Sequence, residues 1–316
     1  MTSLVVGVDT GATSTRALAA GVDGTFVGRG TSGGGNPNSH PPELAAARVA
    51  EAIHAALAGA DPARVTACLL GVAGRSKFTD PAVLEVFHAA LRRIGLTCPI
   101  TIRSDAEVAF ASATDSPDGT ALIGGTGSVA VRIVGHRETL QYGGWGWLLG
   151  DEGSAFWLGR EAIRATLRQL VSGEPLGTLA TAVLTEALGD PSAADRNQAM
   201  QRLITSANAE PPIRLARYGT MVSAQVSADP VAADIVRRAA ELLAEHAFAA
   251  RTPGERTPIV LTGSVIGPTS PVGIALRADL AGKAEVLSAA DGVAGAAWLA
   301  ALEVAGPNAP RPRTRS

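Results

Sequence analysis

Two short glycine–threonine turns, each set between apolar β-like runs, constrain this 316-residue chain more than any other feature. The first is Asp9-Thr10-Gly11-Ala12-Thr13, entered through Leu4-Val5-Val6-Gly7-Val8 and left through Thr15-Arg16-Ala17-Leu18-Ala19. The second is Gly124-Gly125-Thr126-Gly127-Ser128, entered through Ala121-Leu122-Ile123 and left through Ala130-Val131-Arg132-Ile133-Val134. A shift of 116 positions carries Thr10 onto Thr126, Gly11 onto Gly127 and Arg16 onto Arg132. Each turn reads as the tip of a hairpin. Glycine lets the backbone reach φ > 0 and come close to a ligand, and the hydroxyls of Thr13, Thr126 and Ser128 beside free amides make an anion-holding concavity. Either turn alone is equally an ordinary hairpin; the matched pair favours a duplicated unit with two phosphate-holding loops facing one nucleotide.

The length and a hydrophobic content of 46% allow two domains with filled cores. A net charge of −2 gives no electrostatic footprint for nucleic acid. Apolar runs are broken by glycine or charge well before 18 residues, so no membrane span is expected. Met1-Thr2-Ser3 enters a strand without a charged leader, so no signal peptide is read and a cytoplasmic location is expected. Cys68 and Cys98 read as small buried hydrophobes rather than a disulfide. The five histidines show no ligand spacing, so no zinc site is read.

Strands are expected at 3–9, 14–20, 25–31, 65–70 and 100–103, with helices at 42–58, 80–94 and 105–113. Asp80-Pro81 is a good start for the second of these helices. A turn-rich connection at 112–119 leads to the 120–134 hairpin, a helical stretch over 153–250, a strand at 258–262, a helix from 269, a strand at 284–287 and a last helix at 291–304. This order argues for α/β domains with mixed sheets: 1–115, 116–306 with a helical insertion, and a disordered Pro/Arg-rich tail at 307–316.

With Gly35-Asn36-Pro37, Ser104-Asp105-Ala106, Gly143-Gly144-Trp145-Gly146, Gly150-Asp151-Glu152-Gly153-Ser154-Ala155 and Thr262-Gly263-Ser264-Val265 in this order, the chain resembles the actin/hexokinase/Hsp70 ATPase superfamily. Within it, the resemblance is to the branch holding N-acetylglucosamine kinases and the BadF/BadG/BcrA/BcrD ATPases. It implies two ribonuclease H-like (actin/hexokinase-type) α/β domains around an interdomain cleft, using ATP and Mg²⁺ on an amino sugar, in a family where homodimers are common. By the same resemblance Asp9 would hold Mg²⁺ through water. Thr10, Gly11, Ala12, Thr13, Gly125, Thr126 and Gly127 would hold the phosphates, and Gly263 and Ser264 the adenosine. Asp105 would be the catalytic base, and Asn36, Asp105, Ser128, Gly144, Trp145, Gly146 and Asp151 would bind the sugar.

The blander readings stand beside these. Asp105 is equally placed to cap the 105–113 helix. Asp151 suits a turn or cap before the next helix, and Asn36 a plain turn, with Asn38 competing for its role. Trp147 reads as core packing and Trp145 as a site wall, and Arg75 as a solvated loop residue. The implied activity is a hexosamine kinase acting on the 6-hydroxyl of N-acetylglucosamine or glucosamine. Val129 and Gly124 depart from the animal N-acetylglucosamine kinases, which carry Asn and Ser there. The alternatives are a kinase for another hexose such as glucose, a sugar sensor, or an activator ATPase of the 2-hydroxyacyl-CoA dehydratase type. That last class needs cluster-ligating cysteines after the second glycine motif, where this chain has none.

Overall fold

The computed structural model describes residues 2–189 and 194–313. In chain order the first half carries β1 (Leu4–Thr10), β2 (Ser14–Gly21), β3 (Phe26–Gly33), α1 (Pro42–Leu57), β4 (Val65–Val72), α2 (Pro81–Arg93), β5 (Ile100–Ser104) and α3 (Asp105–Ala113). The second carries β6 (Gly119–Gly124), β7 (Ser128–Val134), β8 (Arg137–Gly143), α4 (Ala155–Ser172), α5 (Thr178–Leu188), α6 (Arg196–Ala209), α7 (Gly219–Gln225) and α8 (Pro230–Ala249). It ends with β9 (Ile259–Thr262), α9 (Pro271–Leu280), β10 (Val286–Ser288) and α10 (Gly292–Ala305).

The strands form two five-stranded mixed sheets, ordered β3-β2-β1-β4-β5 and β8-β7-β6-β9-β10. The orders match strand for strand, as a duplicated unit requires. In the first sheet β1 pairs antiparallel with β2 and parallel with β4. β1 is apolar along its length because both its faces are covered. Leu4, Val6 and Val8 pack with α1 and α2, while Val5 joins Leu69, Val108 and the apolar residues of α10 on the other face. Gly7 allows the close approach there: a Cβ at this position would stand 2.0 Å from the amide nitrogen of Ala297 on α10.

By contacts the chain divides into one unit of Met1–Asp118, Ile133–Glu138 and Ala289–Ser316, and a second of Gly119–Arg132 and Thr139–Ser288. This differs from a simple cut near residue 115, because the last helix returns to the first sheet. The tail read as disordered is held at least to Arg313. The Trp298 indole donates to Ala309 O at 3.0 Å, and Arg313 N donates to Gly24 O at 2.8 Å. The Arg311 guanidinium lies 4.1 Å from the Trp298 ring centre and donates to Ala111 O, Thr114 O and Asp115. Sequence composition misses such a tail because its ordering comes from cation–π and carbonyl contacts rather than its own pattern. β8 was also absent from the sequence reading; Arg137, Glu138, Thr139 and Gln141 break its apolar alternation at the sheet edge. Among the described residues no helix is long and apolar enough to cross a membrane.

Candidate active site

In the first unit the β1–β2 turn is closed by Gly11 N donating to Ser14 O at 2.9 Å. Ala12 and Thr13 are exposed. Thr10 is only 1% exposed and shares a hydroxyl hydrogen bond with Thr15 at 3.1 Å, so its side chain braces the turn from within. Asp9 pairs with Arg16 across the hairpin at 2.5 Å, and Arg29 pairs with Asp291, the N-cap of α10, at 2.6 Å. The loop after β3 is laced to this turn: Asn36 N donates to Gly11 O at 3.3 Å, and His40 Nε2 lies 2.7 Å from Ala12 O. Asn36 is buried. Its amide donates to Ala73 O at 2.8 Å and accepts from Asn38 N at 2.9 Å, so its side chain is already committed to holding the loop.

Asp105 opens α3 but does not cap it. Ser104 is the cap, its hydroxyl accepting from Glu107 N at 3.2 Å, while Glu107 Oε2 accepts from Ser104 N at 2.7 Å. This capping box satisfies two helix-end amides and leaves the Asp105 carboxylate half-buried with one local bond, from Ala106 N at 3.0 Å. Burial is the main force raising the Asp105 pKa to about 6; the Ala106 amide works against it, and nearby Asp9 adds to the rise. Glu107 is a buried hub: its other oxygen accepts from Arg103 at 3.2 Å and from Glu138 N at 3.0 Å. Arg75, read from sequence as a solvated loop residue, stands 3.4 Å from Glu138 and 3.9 Å from Glu107.

In the second unit Gly125 N donates to Gly127 O at 2.9 Å, and the carbonyls of Gly125 and Thr126 accept from Ala155 N and Phe156 N at the start of α4. The loop is braced from behind by Asp151, which is buried, sits at φ +60° and accepts from Ser128 N at 3.1 Å. Gly127 permits this, since a Cβ there would lie 2.5 Å from Asp151 Oδ1. Ser128 Oγ donates to Glu152 O at 2.7 Å. Its carbonyl accepts from Gly144 N at 2.8 Å, where Gly143 and Gly144 turn at φ +80° and +67°. Trp145 is 52% exposed and lies edge-on to Tyr142 at 5.3 Å. Trp147 is not core as expected: it is 39% exposed, because Leu149 N and Gly150 N fold back onto Gly146 O and turn the intervening side chains outward. At the end of β9, Val265 N donates to Gly124 O at 3.0 Å, and beside it a cavity of about 270 Å³ is lined by Ser264, Ser270, Thr220, Ser223, Leu158 and Val265.

Thus Asp9, Thr10–Thr13, Asn36 and Asp105 gather in the first unit, and Gly125–Ser128, Gly144–Gly146, Asp151, Gly263 and Ser264 in the second. Sequence reasoning missed Arg16, Glu107, Glu152 and His246. Glu107 had a signal in the Ser104-x-x-Glu107 capping pattern; Arg16 and Glu152 stood within the motifs without a role, and His246 lay outside them. Arg132, the counterpart of Arg16 in the repeat, pairs instead with Glu255 at 3.4 Å, since Gly125 stands where Asp9 would.

The family model described as the BadF/BadG/BcrA/BcrD ATPase family matches residues 6–300. A curated N-acetylmuramic acid/N-acetylglucosamine kinase of Clostridium acetobutylicum is 30% identical over 52% of this chain and 53% of its own length. An N-acetyl-D-glucosamine kinase of Dictyostelium discoideum is 30% identical over 58% of this chain and 60% of its own. The chain therefore spans little more than half the length of the curated relatives it matches. Among solved structures, a candidate N-acetylglucosamine kinase from Chromobacterium violaceum superposes with a TM-score of 0.71 at 23% identity, over 94% of this chain and 99% of that one. A ROK family glucokinase from Streptomyces griseus, solved with glucose and AMPPNP, superposes at 0.52 with 22% identity, over 94% and 99%. These likenesses establish the two-domain actin/hexokinase-type fold.

Proposed function

This chain belongs to the BadF/BadG/BcrA/BcrD ATPase family, and we propose that it is an ATP-dependent hexosamine kinase that phosphorylates the 6-hydroxyl of N-acetylglucosamine or glucosamine. The observation that carries the reading is Asp105, a carboxylate whose helix-capping work is done by Ser104 and whose pKa burial raises to about 6. In this mechanism Asp105 takes the proton from the sugar hydroxyl as its oxygen attacks the γ-phosphorus of ATP and the bond to the β-phosphate oxygen breaks. Such general-base help is worth about 10²–10⁴ in rate. The Ala12–Thr13 and Gly125–Ser128 backbones hold the phosphates, since phosphoryl transfer asks mainly for positioning and charge stabilisation. Gly263 and Ser264, beside the hydroxyl-lined cavity, take the adenosine.

Among the described residues no cluster of three or more His, Cys, Asp or Glu side chains forms a metal site. Asp9, phosphate oxygens and water are the ligand set that suits Mg²⁺; when bound, the ion supplies charge neutralisation at the phosphates. On the sugar side, Ser128, Gly144, Trp145, Gly146 and Asp151 form the wall, and Val129 bears on the sugar's 2-substituent. The names of the curated relatives support the amino-sugar class.

The test is ADP release with Mg-ATP against N-acetylglucosamine, glucosamine, N-acetylmuramic acid, N-acetylmannosamine, glucose and no sugar. Stimulation by one amino sugar identifies the acceptor. Equal rates with and without every sugar, while nucleotide still binds, overturn the reading.

A further inference from the structure

His246 is a buried polar side chain that the mechanism above does not use. It lies on α8, only 5% exposed. Its Nε2 is 3.6 Å from Glu152 Oε2, and that oxygen and His246 Nδ1 are both enclosed with no hydrogen-bond partner among the described residues. The ring lies against Gly143, where a Cβ would come within 3.3 Å of Nδ1, and edge-on to Tyr142 at 5.2 Å. Tyr142 in turn abuts Trp145. The Glu152 carbonyl accepts from Ser128 Oγ, and the Ser128 carbonyl accepts from Gly144 N. One His–Glu pair therefore stands behind three segments that the kinase reading assigns to the sugar: Ser128, Gly144–Gly146 and Asp151.

We propose that His246 and Glu152 are positioning residues which set the glycine turns at 143–146 and 150–153 in the geometry that takes up the amino sugar; this rests on the kinase reading. The groups facing His246 are Asp151 and Glu152 from the 150–153 turn, Glu245 from its own helix and the Tyr142 ring from β8. Burial outweighs the three carboxylates and holds the imidazole below its ordinary pKa, so at neutral pH it carries one ring proton. That proton belongs on Nε2, toward the Glu152 carboxylate, and Nδ1 stays a bare acceptor against Gly143. A gap of 3.6 Å is too long for a hydrogen bond. This contact is expected to tighten in the sugar complex, as functional hydrogen bonds often do when substrate binds.

The test uses the full chain. His246→Phe raises KM for the amino sugar by about tenfold or more and leaves KM for ATP within about twofold, as misplaced binding groups do. His246→Gln, which restores an N–H toward Glu152, recovers most of the loss. Glu152→Gln combined with His246→Phe is no worse than the worse single variant, because the pair acts as one unit. An independent reading comes from ¹⁵N shifts of the imidazole in the wild type: the Nε2–H tautomer between pH 6 and 8, with that preference lost in Glu152→Gln. An unchanged sugar KM in a folded His246→Phe protein, or an Nδ1–H tautomer, overturns the proposal. A wild type that releases no ADP with any sugar overturns the kinase reading and, with it, the assignment to sugar; the tautomer result then separately decides whether the pair exists.

Discussion

Arg16 donates to the Asp9 carboxylate across the β1–β2 hairpin at 2.5 Å, and its other nitrogen stands 4.0 Å from Asp291. Arg29 completes the row from β3. The carboxylate proposed for Mg²⁺ thus already has a cation beside it. Because Arg16 is half exposed, Arg16→Gln is expected to change stability by less than about 1 kcal/mol. It is also expected to lower the Mg²⁺ concentration at half-maximal activity, since a competitor for Asp9 is gone. A Mg²⁺ titration of ADP release checks this; a higher requirement would mean that the guanidinium serves the phosphates instead.

Asp105 predicts a pH dependence with a definite sign. Its folded pKa is raised to about 6 from the usual 3.8, so the base is lost as pH falls through that value and kcat/KM drops about tenfold per unit below it. The same shift means that the ionised form is the less stable one when folded. The cost is absent below pH 4 and complete above pH 6. Asp105→Asn is therefore expected to melt higher than the wild type at pH 7, to lose about 10²–10⁴ in kcat and to keep sugar affinity within a few-fold. Near-normal turnover would reduce Asp105 to a structural residue.

Glu107 holds Ser104, Arg103 and the Glu138 amide at once. Glu107→Gln keeps one acceptor oxygen and turns its NH2 toward the donors on the other side, while Arg103 keeps Glu303 at 3.1 Å, so the expected loss is about 1–3 kcal/mol. Urea unfolding measures it. A wild-type midpoint would show that this network contributes little.

At Asp151 the backbone strain and the brace can be separated. Asparagine tolerates the left-handed region and still accepts from Ser128 N, so Asp151→Asn should cost under about 1 kcal/mol while raising the sugar KM. Asp151→Ala adds strain of about 1–2 kcal/mol to an unsatisfied buried amide of about 1–3 kcal/mol. If both variants melt alike, the brace from Asp151 to Ser128 is not what holds the loop.

Much of this was readable in the sequence, for physical reasons that also mark where reading fails. β1, β4 and β6 are buried runs that announce themselves, and the 116-residue correspondence between the two turns reappears as two sheets of one strand order. α3 begins at Asp105 as expected, yet the competing view of that residue as the cap turned on one atom: the Ser104 hydroxyl takes the work. The Asn36 side chain showed no sign in sequence that Ala73 and Asn38 would occupy it, because those partners arrive through folding. His246 gave no motif at all. Its importance comes from a helix in the insertion meeting turns far away in sequence, and no local pattern encodes that meeting.

Beyond Asp118 the chain belongs to the second unit up to Ser288, apart from the short return Ile133–Glu138, and it rejoins the first unit at Ala289. During synthesis, β1 therefore emerges well before α10, the helix that packs on one of its faces. Val5, Ala67 and Leu69 have only Val108 and Ala111 of α3 over them until then, whereas Gly119–Ser288 contains nearly everything its own sheet needs. Birth order and folding order should run opposite ways: the second unit becomes protease-resistant on the ribosome while the first waits, open on one side, for its closing helix. Nascent chains ending at residue 288 and extended by an unstructured linker long enough to bring that residue out of the ribosomal tunnel would reveal it, by cleavage confined to the N-terminal half.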